Sequence, residues 1–122
     1  MEYQKGTYLK YDWLVIKQDA GHLCGYVKLW KKHPLEVVLD TDGYDGVDVE
    51  CHGGITFGRK IKKNESGMIE RGFTPGYWIG WDYAHFGDWT LSSFDETDKR
   101  WTFDEVIKEC YEVIEKLTNK YL

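Results

Sequence analysis

Polar and apolar residues alternate through the first third of the chain. Between Thr7 and Lys17, Tyr8, Lys10 and Asp12 fall to one side and Leu9, Tyr11, Trp13 and Val15 to the other, the two-residue period of a strand. Asp19-Ala20-Gly21 reads as a turn and His22–Trp30 as a second strand, so the two form a hairpin. His33-Pro34 ends it, because proline removes a donor and restricts the residue before it. Leu35–Leu39 is a short apolar segment, irregular or briefly helical, and Asp40–Gly46 has loop composition. A third strand fits Val47–Phe57, bent or bulged at Gly53-Gly54. Lys60–Gly76 reads as a long loop, Tyr77–Tyr83 as a fourth strand, and Leu91–Arg100 as a polar connection.

The period changes near the C-terminus. Phe103, Val106, Ile107, Cys110, Val113, Ile114, Leu117 and Tyr121 recur at helical spacing. Thr102 and Glu105 form a capping box, and Trp101 is placed to staple Val106. Lys108, Glu109, Glu112, Glu115, Lys116 and Lys120 are assigned to the outer face. The expected architecture is α+β, one domain spanning 1–122: an antiparallel sheet of four to five strands packed against one C-terminal helix.

Composition narrows the classes of function. The net charge of −5 argues against general nucleic-acid binding and against a polybasic membrane surface. Cys24, Cys51 and Cys110 make neither a disulfide framework nor a Cys-x-x-Cys metal pair, and read as free thiols in a reducing compartment. Met1–Lys5 lacks the apolar stretch of a signal peptide, and no run approaches the roughly 20 apolar residues of a membrane span. The expectation is a soluble cytoplasmic protein. Six tryptophans exceed what one small core usually needs, which directs some to a pocket or a subunit interface.

Two segments concentrate the chemistry: His52-Gly53-Gly54-Ile55-Thr56-Phe57-Gly58, and Trp78 through Trp89. Asp82, His85 and Asp88 stand three residues apart, and with His52 they could contact a ligand, hold a divalent cation, or simply cap turns around Gly87. Gly53-Gly54 can offer backbone N–H groups to phosphate, or form a bulge. Arg59 and Arg71 are the preferred phosphate contacts within the basic stretch Arg59–Lys63 and the loop that follows it, although such runs are often merely solvated. Phe57, Phe73 and Trp78 are candidate stacking surfaces, drawn from an aromatic set that also holds Trp30, Trp81, Phe86 and Trp89. Ser92 and Ser93 lack a nucleophile elbow, and Cys51 and His52 point to opposite faces of a strand.

The blocks Val49-x-Cys51-His52-Gly53-Gly54-Ile55-Thr56-Phe57 and Trp78-Ile79-Gly80-Trp81-Asp82-Tyr83-Ala84-His85-Phe86-Gly87-Asp88, preceded by Cys24-Gly25-Tyr26-Val27 and His33-Pro34-Leu35, resemble a family of small phage and prophage proteins. More specifically, the chain looks like the Thoeris anti-defence sponges of phages. These sequester the cyclic ADP-ribose signal made by bacterial TIR enzymes. The resemblance covers about residues 22–90 and implies a homo-oligomer, a dimer or higher, in an infected or lysogenic host. It also implies a small cyclic nucleotide signal held at a subunit interface and released intact; some members are also implied to bind cyclic oligonucleotides at a separate site. No cofactor or metal is expected. The residues expected to contact ligand are His52, Gly53, Gly54, Phe57, Arg59, Arg71, Phe73, Trp78, Asp82, His85 and Asp88. Rival readings are a metal-dependent hydrolase using His52, Asp82, His85 and Asp88, and a plain interaction module.

Overall fold

The computed structural model describes residues 2–93 and 97–121; residues 94–96 of the expected polar connection lie outside them. Five strands, β1 (Tyr3–Tyr8), β2 (Tyr11–Lys17), β3 (Leu23–Lys28), β4 (Phe57–Ile61) and β5 (Gly76–Asp82), form one antiparallel sheet in the order β1-β2-β3-β5-β4. Among the described residues three helices accompany it: α1 (Leu35–Asp42), followed by a 3-10 turn at Gly43–Gly46, α2 (Ser66–Glu70), and α3 (Phe103–Lys120). The expected α+β sheet closed by a C-terminal helix is what forms. No helix among the described residues is long and apolar enough to cross a membrane.

Helix α3 begins as its composition dictates. The Thr102 hydroxyl accepts the Glu105 N–H and the Glu105 carboxylate accepts the Thr102 N–H, closing the capping box. Its apolar stripe of Val106, Cys110, Val113, Ile114 and Leu117 is buried against Trp13, Val15, Val27, Ile79 and Trp81 on one face of the sheet. Each such aliphatic side chain contributes about 1.5–3 kcal/mol on full burial. The opposite face carries a second, smaller core of Leu14, Ile16, Cys24, Tyr26, Ile61, Phe73 and Trp78.

The tryptophan surplus has a structural use. Gly6 pairs with Trp13, Gly25 with Trp81 and Gly80 with Tyr26 across neighbouring strands. A β-carbon on any of these glycines would lie 2.4–2.7 Å from the partner ring. The aromatic plane thus lies flat over a glycine on the adjacent strand, filling the space its missing side chain leaves.

Four sequence expectations are corrected. Thr7–Lys17 is not one strand: the chain reverses at Leu9-Lys10, whose φ angles are 46° and 72°, a two-residue hairpin turn without the usual glycine or asparagine. Tyr8 therefore pairs with Tyr11 and faces the α3 side of the sheet with it. Val47–Phe57 is not a strand before Phe57. Its alternation is real, with Val47 buried and Val49 and Cys51 partly so, but the segment runs along α3 instead of joining a ladder. There the Asp48 and Glu50 carbonyls accept Lys120 and Lys116 ammonium groups, and the His52 N–H is taken by Glu109. Lys60–Gly76 is more ordered than its glycines suggest, because Phe73, with Met68 against it, plugs the second core and α2 forms between the turns. Finally, Glu109 is half-buried against Tyr83 and His52 and does not lie on the outer face.

Candidate functional site

The two chemistry-rich segments meet at one end of the sheet, where β5 ends and β4 begins. Gly80 and Phe57 are register partners, and the Thr56 hydroxyl donates to Asp82 Oδ2 at 3.0 Å. Residues Cys51–Gly54 form a tight turn, closed by the Gly54 N–H on the Cys51 carbonyl at 3.0 Å. Gly53 sits at φ 70°, and a β-carbon there would fall 2.2 Å from His85 Nε2. Only glycine meets both conditions. The turn thereby sets His85 directly over Gly53.

Asp88 is the hub of this end. It is 7% exposed, and Oδ2 accepts His52 Nε2 at 2.7 Å and the His85 N–H at 3.0 Å, while Oδ1 accepts Trp101 Nε1 at 2.8 Å. Burial alone would push the Asp88 pKa up. The donors outweigh it, His52 foremost, and the carboxyl is held below its ordinary value. The His52 ring stacks on Tyr83, 4.5 Å between centroids and 14° between planes, with Trp101 set edgewise at 4.9 Å. Glu109 on α3 clamps the other side: Oε2 accepts the His52 N–H at 2.9 Å and Oε1 the Tyr83 hydroxyl, which itself accepts Trp81 Nε1. Burial first, and then the Glu109 bond, raises the Tyr83 pKa far above that of an ordinary phenol.

Asp82 and His85 form the outer rim. Asp82 accepts the Ala84 N–H at 3.1 Å. His85 Nε2 lies 3.2 Å from Asp82 Oδ1 but off the line of a hydrogen bond. Phe86 projects beyond them, wholly exposed.

The remaining sequence candidates disperse. Phe73 and Trp78, each 2% exposed, are core, and the Trp78 indole N–H is taken by the Thr74 carbonyl. They present no open face in this chain. Phe57 is half-buried, edge-on to Tyr26. Arg59 is paired with Glu65, and Arg71 donates to Gln18 Oε1 at 2.5 Å, so the two guanidinium groups are tied to different partners. Gly54 has φ 81° and open space around it. Burial foremost, with Glu109 adding to it, pushes the Cys51 thiol up to about 12, which disfavours its thiolate form. Among the described residues, no three His, Cys, Asp or Glu side chains converge to hold a metal ion.

Sequence reasoning missed Tyr83 and Glu109 as site residues. A signal for Glu109 was available: it stands three residues after Val106 and four before Val113, on the border of the apolar stripe. No family model, curated protein or solved structure matches this chain.

Proposed function

We propose that this protein binds a cyclic ADP-ribose isomer and holds it without cleaving it, blocking TIR-based Thoeris signalling as the anti-defence sponges it resembles do. The observation that carries the reading is the meeting of the two blocks, whose bonded residues Thr56 and Asp82 lie 26 positions apart in sequence, at one sheet end with Phe86 exposed beside them. Phe86 offers a face for adenine, Asp82 and Thr56 suit ribose hydroxyls, and the glycine turn suits phosphate. In this reading a second copy of the chain closes the site, and enclosure from both sides keeps the off-rate low.

Holding rather than cleaving is supported by the state of the reactive groups. His52 is fixed between Asp88, Tyr83 and Trp101, the Cys51 thiol is protonated at neutral pH, and Asp82 and Asp88 are engaged with different partners. The test is to incubate the protein with glyco-cyclic ADP-ribose, filter away the protein, then denature the retained fraction by heat. Depletion of the free signal followed by recovery of intact ligand is expected. A linear product would make the protein an enzyme, and no depletion would leave an interaction module.

A further inference from the structure

The opposite end of the sheet holds a second concave surface, of about 500 Å3, within the size range of ligand clefts. Five lysines line it: Lys10 from the β1–β2 turn, Lys28 at the end of β3, Lys31 and Lys32 beyond it, and Lys60 on β4. In a chain of net charge −5, that gathering opposes the overall sign. Among the described residues none of the five ammonium groups lies within ion-pair distance of a carboxylate. The two carboxylates that line the same surface are used otherwise: Asp12 accepts the Thr7 hydroxyl at 3.1 Å, and Glu36 accepts the Lys32 backbone N–H at 3.0 Å. Trp30 and Tyr77 supply ring faces, and Tyr77 is steadied by its hydroxyl on Asp40.

The backbone is strained here as well. Leu9, Lys10 and Lys32, at φ 46°, 72° and 67°, are the non-glycine residues with positive φ among those described. Lys10 and Lys32 both line the cleft. Left-handed backbone costs an ordinary residue about 1–2 kcal/mol. Strain kept at two separate loops, both aiming like charges at one cleft, points to a use for those charges.

We infer that this lysine cleft is a second anion site, for a linear polyphosphate carrying an aromatic base, of the nucleoside triphosphate class. Lysines act as point charges without the planar fork of arginine, so such a site ranks ligands by charge density. A terminal triphosphate, with three to four charges close together, suits it far better than a phosphodiester with one. The inference stands on other residues than the proposed function and does not depend on it.

Calorimetric titration with ATP, AMP and cyclic AMP, without magnesium and at low and high salt, tests it. ATP should saturate one site per chain at least tenfold more tightly than cyclic AMP, and weaken steeply with salt. The double variant Lys10→Gly, Lys32→Gly removes two charges while its glycines accept the local backbone. It should bind ATP about tenfold more weakly, as expected for two charge-assisted contacts in a solvated cleft. Phe86→Ala should leave ATP binding unchanged, whatever it does to a cyclic ADP-ribose ligand. Three results would each overturn the inference: no saturable heat at millimolar ATP, equal affinity for ATP and cyclic AMP, or wild-type affinity in the double variant.

Discussion

The two ends of the sheet solve opposite electrostatic problems. At the end where β5 terminates, charge is buried and matched: Asp88 takes three donors, Glu109 two, and the His52 ring is packed between aromatic rings. At the end where β5 begins, five lysines share a cleft without a carboxylate partner among the described residues, and the backbone beneath two of them is left-handed. At the first end the central groups Asp88, Glu109 and Tyr83 are satisfied by their neighbours, and the rim nitrogen His85 Nε2 is left without a hydrogen bond. The second violates local preference and charge balance together. Sequences tend to break such rules where function requires it. The difference separates carboxylates that hold the fold from lysines that have no carboxylate partner, of which Lys28 donates to the Thr74 hydroxyl and Lys60 lies over the Tyr77 ring.

The histidines sharpen the contrast, and one of them gives the largest expected effect. His33, under the lysine end, is 1% exposed and bonded to the Tyr11 hydroxyl at 2.8 Å, while its Nδ1 accepts the Leu35 N–H at 3.0 Å. Burial lowers its pKa from 6.5 to about 4. The unfolded chain therefore takes up a proton at a higher pH than the folded one. His33's contribution is complete above about 6.5, falls as the pH drops toward 4, and is level below that. The loss is of order 3 kcal/mol, which urea unfolding between pH 4 and 7.5 would measure. At the other end Asp88, held below its ordinary value, contributes above the carboxylate range and loses that contribution only at lower pH. His33→Gln should flatten the window from 4 to 6.5. If that variant is poorly folded, assigned NMR signals showing the His33 imidazole itself titrating near 6.5 in the native protein would refute the assignment just as well.

Removing the clamp at the matched end comes next. Glu109→Ala leaves the His52 N–H and the Tyr83 hydroxyl without their acceptor. A loss of about 2 kcal/mol is expected from hydrogen bonds to a charged group, with the Tyr83 fluorescence environment altered. Gly53→Ala should cost a similar or slightly smaller amount, since it meets both a left-handed backbone and the His85 ring. Its separate signature is a displaced His85 resonance. A Gly53→Ala chain with unchanged His85 chemical shifts would mean that the turn does not set that ring.

How much of this was legible follows from which interactions are local. The capping box, the α3 stripe and strands β2, β3 and β5 declare themselves within a few residues, and the α+β architecture follows from them. The pairing of His52 with Asp88 spans 36 residues and depends on how Val47–Gly54 lies along α3. The alternation of Val47, Val49 and Cys51 reported an extended backbone but could not say whether a helix or a strand lay beside it. Phe73 and Trp78 were read as open aromatics because nothing in their neighbourhood reveals the second core. The lysine cleft was hidden because its members come from a hairpin turn, two strands and a loop far apart in sequence, and that turn lacks any turn signature.

That turn carries the smallest effect and bears most directly on the comparison. Leu9 and Lys10 occupy positions that favour asparagine and glycine, and Leu9 is 47% exposed, so no core packing explains it. Leu9→Asn removes a β-turn penalty without loosening the unfolded chain and should stabilise the protein by about 1 kcal/mol. Lys10→Gly relieves about 1–2 kcal/mol of strain but gives back about 0.5–1 through unfolded-state entropy, for a gain of about half the Leu9→Asn value. Thermal melts of both variants check this. The two should then part in their binding: Leu9→Asn keeps the cleft's charge and its affinity for ATP, whereas Lys10→Gly trades affinity for stability. A Lys10→Gly protein that is more stable and binds ATP as well as before would show that the strain serves something other than the lysine it displays.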